Sequence, residues 1–308
     1  MIFRAHERYE KGRVVFMSAI IEEIRSPEVT VSIEVFPPKS ENGAARLLEE
    51  TARIQEGVRV AFTSVTYGAG GSTRDGTLNL VIELAKRNPG RVVAHLTCVG
   101  SNEEALSRLL SAYHESGMTD IMALRGDIPE GMTREEAVSG GFRYAADLVR
   151  WLREAGGVSS IGVAGYPEGH PETPDRAKDL DYFVAKAGAG ADYAATQFFF
   201  ENSDYFRFVV EVAARGLQIP VAPGVLPVRD IDQVARFAGM CGAAVPERVL
   251  SALEPYRGDP EGFKEKSADL AAEQISGLIE AGVRHFHIYS LNKSDIVLGI
   301  ADRLGWRR

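Results

Sequence analysis

The chain has 308 residues, 45% of them hydrophobic and 25% charged, a composition ordinary for a globular protein and sufficient for a core that needs no staples. Its formal net charge of -8 argues against nucleic acid as the main partner, because phosphate binding normally needs a basic face. The 2 cysteines, Cys98 and Cys241, lie far apart and fit a reducing compartment rather than a disulfide framework; no apolar run approaches the roughly 20 residues that span a bilayer.

The first residues mix Arg4, Glu7, Arg8, Glu10, Lys11 and Arg13 with no uninterrupted apolar stretch, so they are not a signal peptide. The patterned sequence begins just after Met17, a candidate natural start, and residues 1 to about 18 read as a frayed extension. Residues 1–28 are taken as extension and lead-in helix, and 29–308 as one catalytic barrel with no linker or boundary inside it.

From there short β-branched runs alternate with helical patterns. The strand candidates are Thr30–Phe36, Val60–Val65, Arg91–Leu96, Asp120–Leu124, Ser159–Ala164, Tyr193–Thr196, Val221–Pro223 and Arg284–Tyr289. Between them Leu106, Leu109, Leu110 and Tyr113 recur at helical spacing, as do Phe206, Val209, Val210 and Ala213; Tyr144, Leu148 and Leu152 mark another helix face. Glycines at 117, 190 and 282 precede the next strand and suit the left-handed residue that ends a helix. Eight strand–helix units with short returns predict an α/β fold, an eight-stranded parallel β/α barrel of the TIM type, with a doubly wound sheet as the runner-up. Residues 246–278 exceed one unit and predict extra helix between the seventh and eighth strands.

In such a barrel the chemistry sits on the loops after the strands, and the unusual residues fall there. In the first strand, alternation puts Ser32, Glu34 and Phe36 on one face. Facing inward, Glu34 would be partly desolvated and its protonated form favoured, as a general acid requires; facing outward, it would be a salt-bridged surface residue. After the second strand, residues 68–71 resemble a phosphate loop only loosely, and Thr73 breaks the dinucleotide fingerprint. Arg125-Gly126-Asp127 after the fourth offers a cation for a phosphate, a permissive backbone and an anion for a donor-rich heterocycle; its plainer reading is a surface turn with a local ion pair. Gln197 followed by Phe198-Phe199-Phe200 suits either a flat heterocycle or plain core. The pairs His285/His287 and His95/Cys98 lack the spacing that completes a zinc site, so no metal is expected.

Together these residues resemble the bacterial methylenetetrahydrofolate reductase family. The matching segments are SIEVFPPKS, FTSVTYGAGGSTRD, AHLTCVG, ALRGDIPEG, AGYPEGHPE, ATQFFFENSDYF, PGVLPV and HIYSLNKS, in family order from about residue 30 to residue 304. The resemblance implies a cytoplasmic enzyme with FAD across the strand C-termini. A reduced nicotinamide, NADH or NADPH, gives a hydride to the flavin and leaves; methylenetetrahydrofolate takes its place and receives the hydride, a ping-pong scheme. By the same resemblance Glu34 is the acid that protonates the substrate's leaving nitrogen, and Asp127 holds the pterin and biases the flavin. Gln197 would recognise the pterin and Phe237 would stack on the aminobenzoate or the nicotinamide, with Gln233 and Lys293 at further substrate positions. Thr66, Tyr67, Ala69, His95, Arg125, Gly126, Asp127, Tyr144, Ala145, Tyr166, His170, Asp179 and Lys186 fall where the family contacts FAD.

Three departures stand out. Tyr182 and Ala185 occupy positions where relatives have an Asn and an Arg near the adenosine end of FAD, and Lys293 replaces an Arg, keeping charge without the fork geometry. No patterned segment follows Leu304, so inhibition through an attached domain is not expected. A homo-oligomer is left open, since periodicity identifies no interface. Competing readings are direct hydride transfer from nicotinamide to folate without flavin, a non-redox folate-binding methyltransferase barrel, and a non-catalytic pterin carrier.

Overall fold

The structure is a computed structural model that describes residues 7–10, 13–16, 18–38, 40–66, 74–128 and 131–308. Glu7–Glu10 (β1) and Arg13–Phe16 (β2) pair antiparallel as a sheet of their own. Met17 and residues 67–73, which include Tyr67, Ala69 and the glycine-rich stretch, lie outside the described residues.

Eight parallel strands close into a barrel: Thr30–Val35 (β3), Val60–Val65 (β4), Val92–Thr97 (β5), Asp120–Leu124 (β6), Ser160–Gly165 (β7), Tyr193–Phe198 (β8), Val221–Val225 (β9) and His285–Tyr289 (β10), with β10 returning to pair with β3. The eight runs expected from the sequence are these strands, two of them with the expected bounds and the others with an end displaced by one or two residues. Helices separate consecutive strands: Glu41–Gly57 (α2), Arg74–Arg87 (α3), Glu103–Glu115 (α4), Arg134–Ala137 (α5) with Ala145–Ala155 (α6), Arg176–Gly188 (α7) and Asn202–Ala214 (α8). After β9 come Ile231–Cys241 (α9), Glu247–Leu253 (α10), a single 3-10 turn and Pro260–Glu280 (α11); Asp295–Leu304 (α12) follows β10. The extra helix before the last strand is therefore broken: Asp259 caps a new start and Pro260 takes the first position, where its missing N–H costs nothing. Gly117, Gly190 and Gly282 all have positive φ, as the helix exits required.

The bottom of the barrel is plugged by Ala19–Ile24 (α1). Ser18 fixes it twice: its Oγ accepts from the Ile20 N–H and donates to Asp120 Oδ1 at 2.6 Å. Ile20, Ile21 and Ile24 then pack into the interior against Phe62, Val93, Met122 and Tyr193. Each buried isoleucine contributes about 1.5–3 kcal/mol relative to exposure. Filling the lower interior in this way leaves the upper end for polar side chains.

One helix departs from the expected face. In α8 the buried positions are Tyr205, Phe208 and Val212, while Val210 is 67% exposed. Two apolar series run along this helix, one position apart, and the series with the larger rings is the one turned to the sheet. Tyr144 likewise precedes α6 as its N-cap; Leu148 and Leu152 carry the buried face.

Candidate active site

β3 and β10 close the barrel and meet in register, Thr30 opposite His285, Ser32 opposite His287 and Glu34 opposite Tyr289. Alternation turns all six of these side chains to the same face. Thr30, Ser32, His285 and His287 are buried, and Glu34 is partly exposed at the upper end. The inward reading of Glu34 therefore holds, but its carboxyl has partners that the sequence did not disclose. Its Oε2 lies 3.4 Å from His287 Nε2 and 3.5 Å from His95 Nε2 on β5. The His95 contact lacks hydrogen-bond geometry, and that nitrogen is buried without a hydrogen bond.

These neighbours correct the expected ionisation. Burial alone pushes the Glu34 carboxyl up; the hydrogen bond from His287, then the charges of His95 and His287, outweigh it and hold the carboxyl below its ordinary value. Burial pushes His95 down, and its nearness to Glu34 only partly opposes that. The carboxyl of Glu34 is thus set by the two imidazoles beside it rather than by burial alone.

The remaining rim residues divide into groups. Thr66 follows β4, and its N–H donates to the Val35 carbonyl at 2.9 Å. Arg125 is not paired with Asp127 as the surface-turn reading held: its guanidinium forks onto Glu172 at 2.6 and 2.7 Å, which draws the Glu172 carboxyl down to about 2. Asp127 is exposed at the rim and makes no hydrogen bond or ion pair among the described residues. Gly126 has φ +83°, and a Cβ there would stand 2.8 Å from Thr97 Cβ, so this turn needs glycine twice over.

On the next units, Tyr166 packs edge-on against His170 with centroids 4.6 Å apart, and the His170 N–H donates to Asp179 Oδ2 at 3.2 Å. Burial pushes the Tyr166 hydroxyl up to about 12 and the Lys186 ammonium down to about 8. Lys186 Nζ donates to the Ala164 carbonyl at 2.6 Å. Tyr144 and Tyr182 are exposed and stack with centroids 6.2 Å apart, and Ala145 begins α6 beneath them. Ala185 is exposed on α7.

Gln197 is half-buried at the upper end of β8, past Ala195, where the pairing with β9 shifts register. The three following phenylalanines are core: Phe198 and Phe200 share one cluster and Phe199 stacks on Tyr205 in another. Gln233 lies in the first turn of α9, its N–H capped by Asp230, and Phe237 is one turn further with the Arg236 guanidinium 5.8 Å from its ring. Lys293 Nζ lies 3.8 Å from Glu50 Oε1. Glu50 lies in none of the matching segments and Glu172 ends one without pointing to a partner, so only folding brings them to these cations. A separate cavity of ≈ 490 Å³ opens between Phe200, Arg248, Ser267 and Gly277, away from Glu34. Among the described residues no group of three or more His, Cys, Asp or Glu side chains could hold a metal ion, and no helix is long and apolar enough to cross a membrane.

The sequence pattern that defines methylenetetrahydrofolate reductase matches residues 19–305. The chain belongs to that family. It is 36% identical over 279 residues to the 5,10-methylenetetrahydrofolate reductase of Pectobacterium carotovorum, covering 91% of each chain, and 34% identical over 280 residues to that of Escherichia coli, covering 91% of this chain and 92% of the other. Methylenetetrahydrofolate reductase 1 of Schizosaccharomyces pombe is 35% identical over 90% of this chain; here the chain spans 46% of its relative. The chain thus spans nearly all of its bacterial relatives and about half of the fungal one. A solved barrel from Clostridium thermocellum, described as binding two copies of 5-methyl-5,6,7,8-tetrahydrofolic acid, superposes with a TM-score of 0.66 at 13% identity, covering 93% of this chain and 99% of the other, which is a likeness of fold.

Proposed function

We propose that this protein reduces 5,10-methylenetetrahydrofolate to 5-methyltetrahydrofolate at the upper mouth of the barrel, using a reduced nicotinamide and FAD, in a reducing cytoplasmic compartment where Cys98 and Cys241 stay free. The observation that carries the reading is the Glu34–His287–His95 cluster: a carboxyl flanked by two buried imidazoles at the inner rim of a family barrel, with Asp127 and Gln197 on the same rim.

The residues along β6, β7 and α7 suit a large, anionic, aromatic cofactor. Arg125 and Lys186 supply positive charge, the Tyr144–Tyr182 pair supplies exposed ring faces, and Gly126 removes a side chain where a flat ring can approach the backbone. His95 Nε2 is a buried polar atom in need of a partner. Thr66, Tyr166, His170 and Asp179 complete the set assigned to FAD. When bound, FAD supplies the hydride relay between nicotinamide and folate.

This chain's own residues do the rest. Asp127 accepts hydrogen bonds from the pterin's N–H groups, Gln197 reads its amide edge, and Gln233, Phe237 and Lys293 hold the remainder of the substrate. The Glu34 cluster delivers a proton to the leaving ring nitrogen, breaking its bond to the bridging carbon and leaving an iminium that accepts hydride. The barrel region of residues 29–308 would perform this as one unit.

The visible spectrum of the purified protein tests the reading. A flavin band that bleaches with NADH in the absence of oxygen, and recovers on adding methylenetetrahydrofolate, is expected. A colourless protein that consumes NADH with the folate would instead favour direct transfer, and one inert to NADH even with added FAD would remove the reductase reading.

A further inference from the structure

Below Glu34 the inward side chains of β3 and β10 form a continuous hydrogen-bonded line. His287 Nδ1 is 2.7 Å from Ser32 Oγ, Ser32 Oγ is 3.1 Å from His285 Nε2, His285 Nδ1 is 2.7 Å from Thr30 Oγ1, and Thr30 Oγ1 is 3.0 Å from the Glu23 carbonyl on the plugging helix. We propose that His287 is the proton partner of Glu34, and that the line Thr30–His285–Ser32 is a positioning device that sets which face of the His287 imidazole, protonated or bare, meets the carboxyl. The proposal rests on the reading of Glu34 as the acid of folate reduction.

The direction of the line follows from counting protons. A carbonyl only accepts, so Thr30 donates to Glu23 and has no proton left for His285. His285 must then donate from Nδ1. Burial, and then the neighbouring His287, push His285 down to about 3, so near neutrality its Nε2 is bare and takes the Ser32 proton. The Phe286 carbonyl, 3.3 Å from Ser32 Oγ, is a second acceptor for that one proton, and with either acceptor Ser32 has none left and accepts from His287 Nδ1. A neutral His287 therefore presents a bare Nε2 to Glu34, and a bare nitrogen facing an ionised carboxylate is repulsive. The Glu34–His287 contact is attractive only while that couple holds one proton, on either partner. Protonation of the substrate's leaving nitrogen moves that proton from the couple to the substrate. It leaves a carboxylate facing the bare nitrogen, which solvent reprotonates.

The opposite direction is available at two costs, the first being that Ser32 turns its proton from the Phe286 carbonyl to His287 Nδ1. In the second, Thr30 would turn its proton to His285 and leave the Glu23 carbonyl to the Ser26 N–H alone. His287 would then donate from Nε2 to an ionised Glu34, and the couple would have no proton to give. Other groups around the line do not override the choice. His95 and Tyr289 face Glu34, but the Tyr289 hydroxyl donates to the Thr196 carbonyl at 2.7 Å. Ser64 Oγ lies 3.5 Å from His287 Nε2, Phe62 stacks on both histidines, and the Glu23 carboxylate is taken by Arg59 and Arg91. The anchor is thus the Thr30 hydroxyl at the floor of the barrel, on the same strand as Glu34 but out of contact with it.

Two measurements test this. Nitrogen NMR of the wild-type protein labelled with ¹⁵N-histidine is expected to show His287 protonated at Nδ1; a neutral ring protonated at Nε2 with Nδ1 bare would overturn the proposal. In Thr30→Val the line loses its anchor and reverses. The alkaline limb of the folate half-reaction should then move down by about one pH unit or more, with flavin reduction by NADH unmoved and Thr30→Ser restoring the wild-type profile. An unmoved limb in a folded Thr30→Val would also overturn it. If that variant does not fold, the wild-type spectrum decides. A wild-type protein that turns over no folate would sink the function reading, while the spectrum would still report on the line.

Discussion

The Nε2 atom of His287 stands 3.4 Å from Oε2 of Glu34, across the seam where the last strand closes the barrel onto the first. That contact joins an acid to a base drawn from opposite ends of the chain. With the charge of His95 it outweighs burial and holds the carboxyl below its ordinary value.

Replacing Glu34 by Gln keeps the shape and removes the exchangeable proton. The folate half-reaction should fall by roughly 10²–10⁴-fold, the usual range for loss of a positioned acid, while flavin reduction by NADH survives. Stopped-flow absorbance of each half-reaction separates the two. Equal loss in both would show that Glu34 serves the cofactor site rather than proton delivery.

His285 gives a stability prediction whose sign is set by its depression from the ordinary value of 6.5 to about 3. Unfolded chains bind a proton at this side chain below about 6.5. The folded chain refuses it until about pH 3. Its contribution is therefore fully present above the unfolded value and is lost as pH falls through that interval, by up to about 1.4 kcal/mol per pH unit. Urea unfolding of wild type and His285→Asn across this range should show a shallower acid loss in the variant. Parallel curves would mean that His285 is charged in the folded protein.

Gly126→Ala should lower stability by about 1–3 kcal/mol, since alanine must adopt a positive φ and push its Cβ against Thr97. Thermal unfolding measures it. An unchanged midpoint would mean that the turn relaxes around the new methyl group.

The face of α8 is testable by a pair of substitutions. Phe208, 1% exposed, should cost about 3–5 kcal/mol when cut to Ala, whereas Val210→Glu should stay within about 0.5 kcal/mol. Comparable losses at both positions would restore the face expected from the sequence.

Much of this protein was legible before folding. The eight strands were readable because each is a short β-branched run between a helix-ending glycine or polar turn and the next helical pattern. Both signals are local. The barrel follows from their alternation, and Glu34 stood out because inward alternation and a strand-end position coincide. In α8, by contrast, two apolar series of similar strength overlap, and helical spacing has no means of ranking them; the volume available against β7 and β8 does. The same holds for Arg125, whose partner Glu172 lies 47 residues away and beyond the next strand.

What the sequence by itself determined is the alternation of elements, the rim positions and the residues that carry the family resemblance, because backbone periodicity and short motifs are properties of neighbours along the chain. What only the tertiary structure decided is the ionisation of the site. Closure of the sheet sets His285 and His287 beside Thr30, Ser32 and Glu34 in register across more than 250 residues, and a proton's location depends on which groups meet in space and how little water separates them.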